Sequence, residues 1–191
     1  MEENFSPQDS LHLIQSMIVK TKSNLSENRI YFLLWGWVSF VAILGQFVLK
    51  VIVGYDKHYL VWLLTIPTSV LTIIYSARRE GQRSVSTYVG ESMGSLWTGI
   101  GISFFVLSLI ITRLPSGWNS AWPFFILFYG LGTFISGRIL RFRPLVLGGI
   151  FNWMLAVVSI YVAFDYQLLL AAAAILTSYI IPGYLLKSSQ N

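Results

Sequence analysis

Residues Ile30 to Val53 read IYFLLWGWVSFVAILGQFVLKVIV, an apolar run interrupted by one amide, Gln46, and one charge, Lys50. A helix rising 1.5 Å per residue needs about 20 mostly apolar residues to cross roughly 30 Å of hydrocarbon, and this run is long enough. Five more stretches meet the same test: Tyr59 to Ala77, Met93 to Thr112, Ala121 to Leu140, Pro144 to Phe164 and Tyr166 to Leu186. The expected fold is therefore an all-α membrane protein, a six-transmembrane-helix bundle. Three segments follow: a cytoplasmic N-terminal segment at 1–29, a transmembrane domain at 30–186 and a short cytoplasmic tail at 187–191.

The composition agrees with that reading. Of the 191 residues 55% are hydrophobic and 11% charged, a balance foreign to soluble globular domains. Seven Trp and ten Tyr suit the two membrane interfaces, where an amphipathic ring satisfies both its ends. With no cysteine, disulfides, thiolate metal sites and thiol nucleophiles are excluded.

The breaks between runs are short. Gly54, Asp56 and Lys57 follow the first run, Arg78, Arg79, Glu80 and Gly81 the second, and Pro115 to Ser120 the third, where Asn119 or Ser120 is the expected cap with Pro123 in the first turn. Arg141-Phe142-Arg143 is the whole fourth break, and the fifth lies around Asp165. Connections this short make consecutive helices antiparallel neighbours.

Charge then orients the bundle. Lys20, Lys22, Arg29, Arg78, Arg79, Arg83, Arg138, Arg141, Arg143 and Lys187 fall on one side; Lys50, Lys57 and Arg113 fall on the other. Ten against three places the first side in the cytoplasm, so both termini face inward across the inner membrane. The net charge of +5 is thus a matter of topology, and no nucleic-acid partner is expected. Glu2, Glu3 and Asp9 argue against a removable signal peptide.

Before the first run, Ser6-Pro7-Gln8-Asp9 has the form of a helix start, and Leu11, Ile14, Met17 and Ile18 then share one face. This amphipathic interfacial helix either lies on the inner membrane surface or packs on the cytoplasmic end of the bundle. Residues 6–25 are also the stretch available to another membrane or cytoplasmic protein.

Few residues carry chemistry. Asn152 and Gln46 are amides inside apolar runs, and Glu91 stands at the edge of the third; these are the candidates for interhelical hydrogen bonds or for the lining of a cavity, with Trp153 beside Asn152. Arg138, Arg141 and Arg143 can grip anionic lipid headgroups, although orientation alone accounts for positive charge in an inner loop. Gly90 and Gly94, Gly132 and Ser136, and Ala171 to Ala174 mark close helix contacts, while Pro67 and Pro182 should kink their helices. His12 and His58 lie outside the runs without a second ligand at metal spacing, and no GxSxG elbow or phosphate loop occurs. No catalytic residue, metal or cofactor is expected.

YFLLWGW from Tyr31 and FFILFYGL from Phe124 share an order of aromatic, aliphatic and Gly residues, the pattern of two inverted three-helix halves. The segments Glu27 to Trp37 (ENRIYFLLWGW), Gly132 to Ile150 (GTFISGRILRFRPLVLGGI) and Ile180 to Leu186 (IIPGYLL) resemble a group of small bacterial six-span membrane proteins with no assigned activity. That resemblance implies a fold and a bacterial inner-membrane location, and no site residues. Two functions fit: a non-catalytic accessory, sensory or regulatory membrane component, or a small-solute transporter or transporter subunit.

Overall fold

The computed structural model describes residues 29–80, 88–115 and 117–188. The expected N-terminal amphipathic helix, residues 6–25 and Arg83 lie outside the described residues. Among those described, all regular structure is helical, in six helices. They are α1 (Arg29–Ile52), α2 (a 3-10 turn at His58–Leu64 continuing as Thr65–Glu80), α3 (Tyr88–Arg113), α4 (Trp122–Ile139), α5 (Arg143–Ser159) and α6. The last runs through Phe164–Ile175, a π-helical turn at Leu176–Ile180 and Ile181–Ser188. Helices α1, α2, α3 and α6 are long and apolar enough to cross a membrane; α4 has 18 residues and α5 has 17.

Several ends differ from those expected. Helix α5 stops at Ser159 rather than Phe164, because Ile160 and Tyr161 turn back onto the carbonyls of Val157 and Val158. Ile160, Tyr161, Val162 and Ala163, which link α5 to α6, are all apolar or aromatic, so hydropathy does not register the break. Helix α3 starts at Tyr88, five residues before Met93, which puts Glu91 in its first turn. Neither Asn119 nor Ser120 caps α4: residues Gly117–Ser120 form a 3-10 turn and Ala121 is the cap, with no side-chain bond.

The two prolines sit where the helix changes pitch. Pro67 falls in the first α-helical turn after the 3-10 segment, where a missing N–H is tolerated. Pro182 follows the π turn, which widens the helix at the point where the proline ring would otherwise press on the carbonyl of Ser178.

Glycine lets the central helices approach. The most extensive packing joins α4 to α5, and there a Cβ on Gly149 would lie 2.7 Å from the Phe134 backbone nitrogen, and one on Gly130 would lie 3.0 Å from the Gly149 carbonyl oxygen. Helix α6 closes the core: a Cβ on Gly148 would lie 2.9 Å from the Thr177 carbonyl oxygen, which the π turn carries. Ala171, Ala172 and Ala174 are buried on the same helix. Gly132 faces Trp97 of α3 and Gly36 of α1 faces Tyr179. Of the expected small-residue pairs, Gly132 and Ser136 are buried, whereas Gly94 opens outward with nothing within 4 Å of its Cβ direction.

Helix α2 is held differently. Its inward stripe is polar, built from Trp62, Thr65, Thr68, Ser69, Thr72 and Ser76, and its outward face is apolar, with Leu63, Ile66, Val70, Leu71, Ile73 and Ile74 exposed. Four of the inward hydroxyls bond carbonyls three or four residues back in their own chain, which satisfies them without a neighbour. Ties to α1 come from Tyr31 with Ser76 at 2.8 Å and from Trp62 with Gln46.

Candidate functional site

Asn152 lies at the junction of α4, α5 and α6. It sits on the face of α5 that Gly148 and Gly149 open to those helices, and it is wholly buried. Its Nδ2 donates to Ser178 Oγ on the π turn of α6 at 3.1 Å, and that hydroxyl donates onward to the Ala174 carbonyl at 2.5 Å. Ser178 therefore uses its proton on its own helix and accepts from Asn152, which fixes the amide's orientation.

Four buried polar atoms in this region have no hydrogen bond: Asn152 Oδ1, Thr133 Oγ1, Ser136 Oγ and Tyr179 OH. Thr133 and Ser136 are three residues apart on α4 and so share a face. The hydroxyls of Thr133 and Tyr179 face one another without making a bond. Rings enclose the place: Tyr179 meets Phe32, Trp97 and Tyr129 at centroid separations of 5.4, 5.7 and 5.6 Å, and the Tyr129 hydroxyl lies near Ser39 of α1. The arrangement is neutral, aromatic and rich in hydroxyls.

A second network joins α1 to the start of α2. Trp62 Nε1 can only donate, and it does so to Gln46 Oε1 at 2.7 Å. The Gln46 Nε2 is then the donor to His58 Nδ1 at 3.1 Å, so the imidazole accepts through Nδ1. Close by in the chain, Lys50 pairs with Asp165 of α6 and lies 4.2 Å above the Phe164 ring centroid. The pair is only partly buried, at 30% and 42% exposure, so solvent weakens it and its direct contribution is on the order of 0–1 kcal/mol.

Arg138, Arg141 and Arg143 are all exposed at the α4–α5 turn. Arg141 has φ 52, the left-handed region that costs a residue with a Cβ roughly 1–2 kcal/mol. The backbone forms a Schellman closure, with Phe142 N–H on the Gly137 carbonyl at 2.9 Å and Arg141 N–H on the Arg138 carbonyl at 3.3 Å. Glycine is the usual residue at that position.

The structure thus puts Asn152 and Gln46 in two separate networks, the first buried and the second partly buried. Glu91 is exposed on α3, outside both. The three arginines share one turn. Sequence reading passed over Ser178, Thr133 and Tyr179, whose types are common in apolar helices, and over the Lys50–Asp165 pair, although charge counting sets both of those residues at the same end of the bundle. Among the described residues no group of His, Cys, Asp and Glu could hold a metal ion. No known family model matches the chain, and no curated protein or solved structure is similar to it.

Proposed function

We propose that the chain is a six-span bundle of a bacterial cytoplasmic membrane, with both termini inside, and that it serves as a non-catalytic accessory, sensory or regulatory component. The reading rests on the buried polar set. Ser39, Gln46, Thr68, Thr133, Ser136, Asn152, Ser159, Gln167 and Ser178 are all neutral amides or hydroxyls, the groups that membrane helices use to hold one another. General acid–base work or proton pumping calls for an ionisable group with a tuned environment in the core, and among the described residues the one buried ionisable side chain is the Tyr179 phenol, enclosed by aromatic rings. The outward apolar faces of α1 to α3 support membrane embedding, and the ten-to-three charge count supports the orientation. The resemblance to small bacterial six-span proteins supports the location.

Co-purification from native membranes tests the role. An accessory component emerges with the same membrane or peripheral protein in repeated preparations, and a chain that always emerges alone contradicts the proposal.

One observation favours a second reading, a small-solute transporter or transporter subunit. Unpartnered buried polar atoms beside a π turn are a feature of functional sites in helices, and here they gather around Asn152, Thr133 and Tyr179. A solute taken there would be neutral. A single cysteine replacing Thr133 reports on it: modification by a small water-soluble maleimide in intact membranes supports a solute path, and complete protection removes it.

A further inference from the structure

The α4–α5 turn gathers more positive charge than any other described part of the chain. Arg138 closes the last turn of α4, Arg141 sits at the turn itself and Arg143 opens α5, all three exposed. Three arginines within six residues bring three guanidinium groups to one turn, and the planar N–H pairs of each match a phosphate. Arg141 also occupies a left-handed backbone position where glycine fits without strain. Its side chain is kept at a place the backbone would give to another residue.

The surface next to the turn narrows the class of anion. From Arg143, Leu147, Ile150, Met154 and Val157 follow at spacings of three and four residues, so they continue the same face of α5. All four are exposed, Leu147 at 66% and Met154 at 53%. An apolar track headed by a cluster of arginines complements a molecule with an anionic phosphate at one end and a hydrocarbon chain behind it. A free phosphate would have no use for the track.

We propose that the α4–α5 turn is a binding site for an anionic phospholipid, with Arg138, Arg141 and Arg143 on the headgroup phosphate and an acyl chain along Leu147, Ile150 and Met154. It rests on the membrane-embedded reading above but requires no partner protein, so its failure leaves the accessory role standing. The inner-leaflet location makes anionic headgroups the abundant source of phosphate at this depth.

Native mass spectrometry of the full chain, released from detergent micelles doped with phosphatidylglycerol or phosphatidylcholine, reads the site directly. The wild type should retain phosphatidylglycerol at least tenfold more strongly than phosphatidylcholine. The triple variant Arg138→Gln, Arg141→Gln, Arg143→Gln should lose that preference, while Arg113→Gln, on α3 outside this turn, should keep it. Arg141→Gly, which relaxes the backbone and removes one guanidinium, should weaken retention severalfold without lowering the thermal midpoint. Millimolar inorganic phosphate should leave the lipid in place. Should the triple variant not fold, Arg141→Gln and Arg143→Gln singly are read for the same severalfold weakening. Undiminished lipid preference in the arginine variants overturns the proposal, as does full displacement by inorganic phosphate, which would mark a site for the free anion.

Discussion

Asn152 uses one side of its amide and leaves the other bare. Its Nδ2 ties α5 to Ser178 of α6, while Oδ1 has no hydrogen bond. Polar bonds between helices in a bilayer contribute about 1 kcal/mol each, so Asn152→Ala should destabilise the bundle by about 1–2 kcal/mol in a denaturing-detergent titration. Thr133 gives the opposite case, a buried hydroxyl without a partner. Thr133→Val keeps the shape and removes an unsatisfied group, which should be neutral or stabilise by about 1 kcal/mol. A loss equal to that of Asn152→Ala would mean the hydroxyl is satisfied in the working protein. Asn152 and Gln46 were legible in the sequence because amides are rare in apolar runs, but Gln167, buried near the start of α6, was passed over because it stands beside the Asp165 break. Thr133, Ser136, Ser178 and Tyr179 were not, since serine and threonine can bond their own helix, as Thr65, Thr68, Ser69 and Thr72 do on α2.

Helices α4 and α5 are joined along a glycine seam, and the other helices are arranged on that pair. At Gly149 even one methyl group meets the backbone of α4; Gly149→Ala should cost about 1–3 kcal/mol by forcing the helices apart. Gly101→Ala on α3 is the matched comparison, since nothing lies within 4 Å of its Cβ direction. The same titration should show no loss there. Equal losses at both positions would indicate that helix α3 is packed against something on its outward face. Small residues in the sequence announce where helices can approach but not which of them do. The expected pair Gly90 and Gly94 includes a glycine that faces outward, while Gly137 and Gly149, in no expected pair, would put a Cβ 2.6 and 2.7 Å respectively from a backbone nitrogen across the α4–α5 joint. Likewise the end of α5 was hidden, because a turn made of Ile160, Tyr161, Val162 and Ala163 looks like more helix.

The whole molecule combines a close-packed α4–α5–α6 core with α1 beside it and with α2 and α3 outermost, their apolar faces turned outward. Hydropathy located the six described helices as apolar runs set apart by charge, glycine or proline, but missed that α5 stops at Ser159, short of the Asp165 break. The number that cross is settled by α4 and α5, the shortest pair, whose hairpin carries Arg141 at its tip. If both cross, the tip is cytoplasmic and the α5–α6 turn at Tyr161, 84% exposed, is external. If neither crosses, Arg141 and Tyr161 lie on the same side. Because the chain has no cysteine, the variants Arg141→Cys and Tyr161→Cys can each be labelled in intact cells with a membrane-impermeant maleimide. The six-span bundle predicts labelling of Tyr161→Cys from outside and of Arg141→Cys only after the membrane is opened; labelling of both, or of neither, before permeabilisation would contradict it.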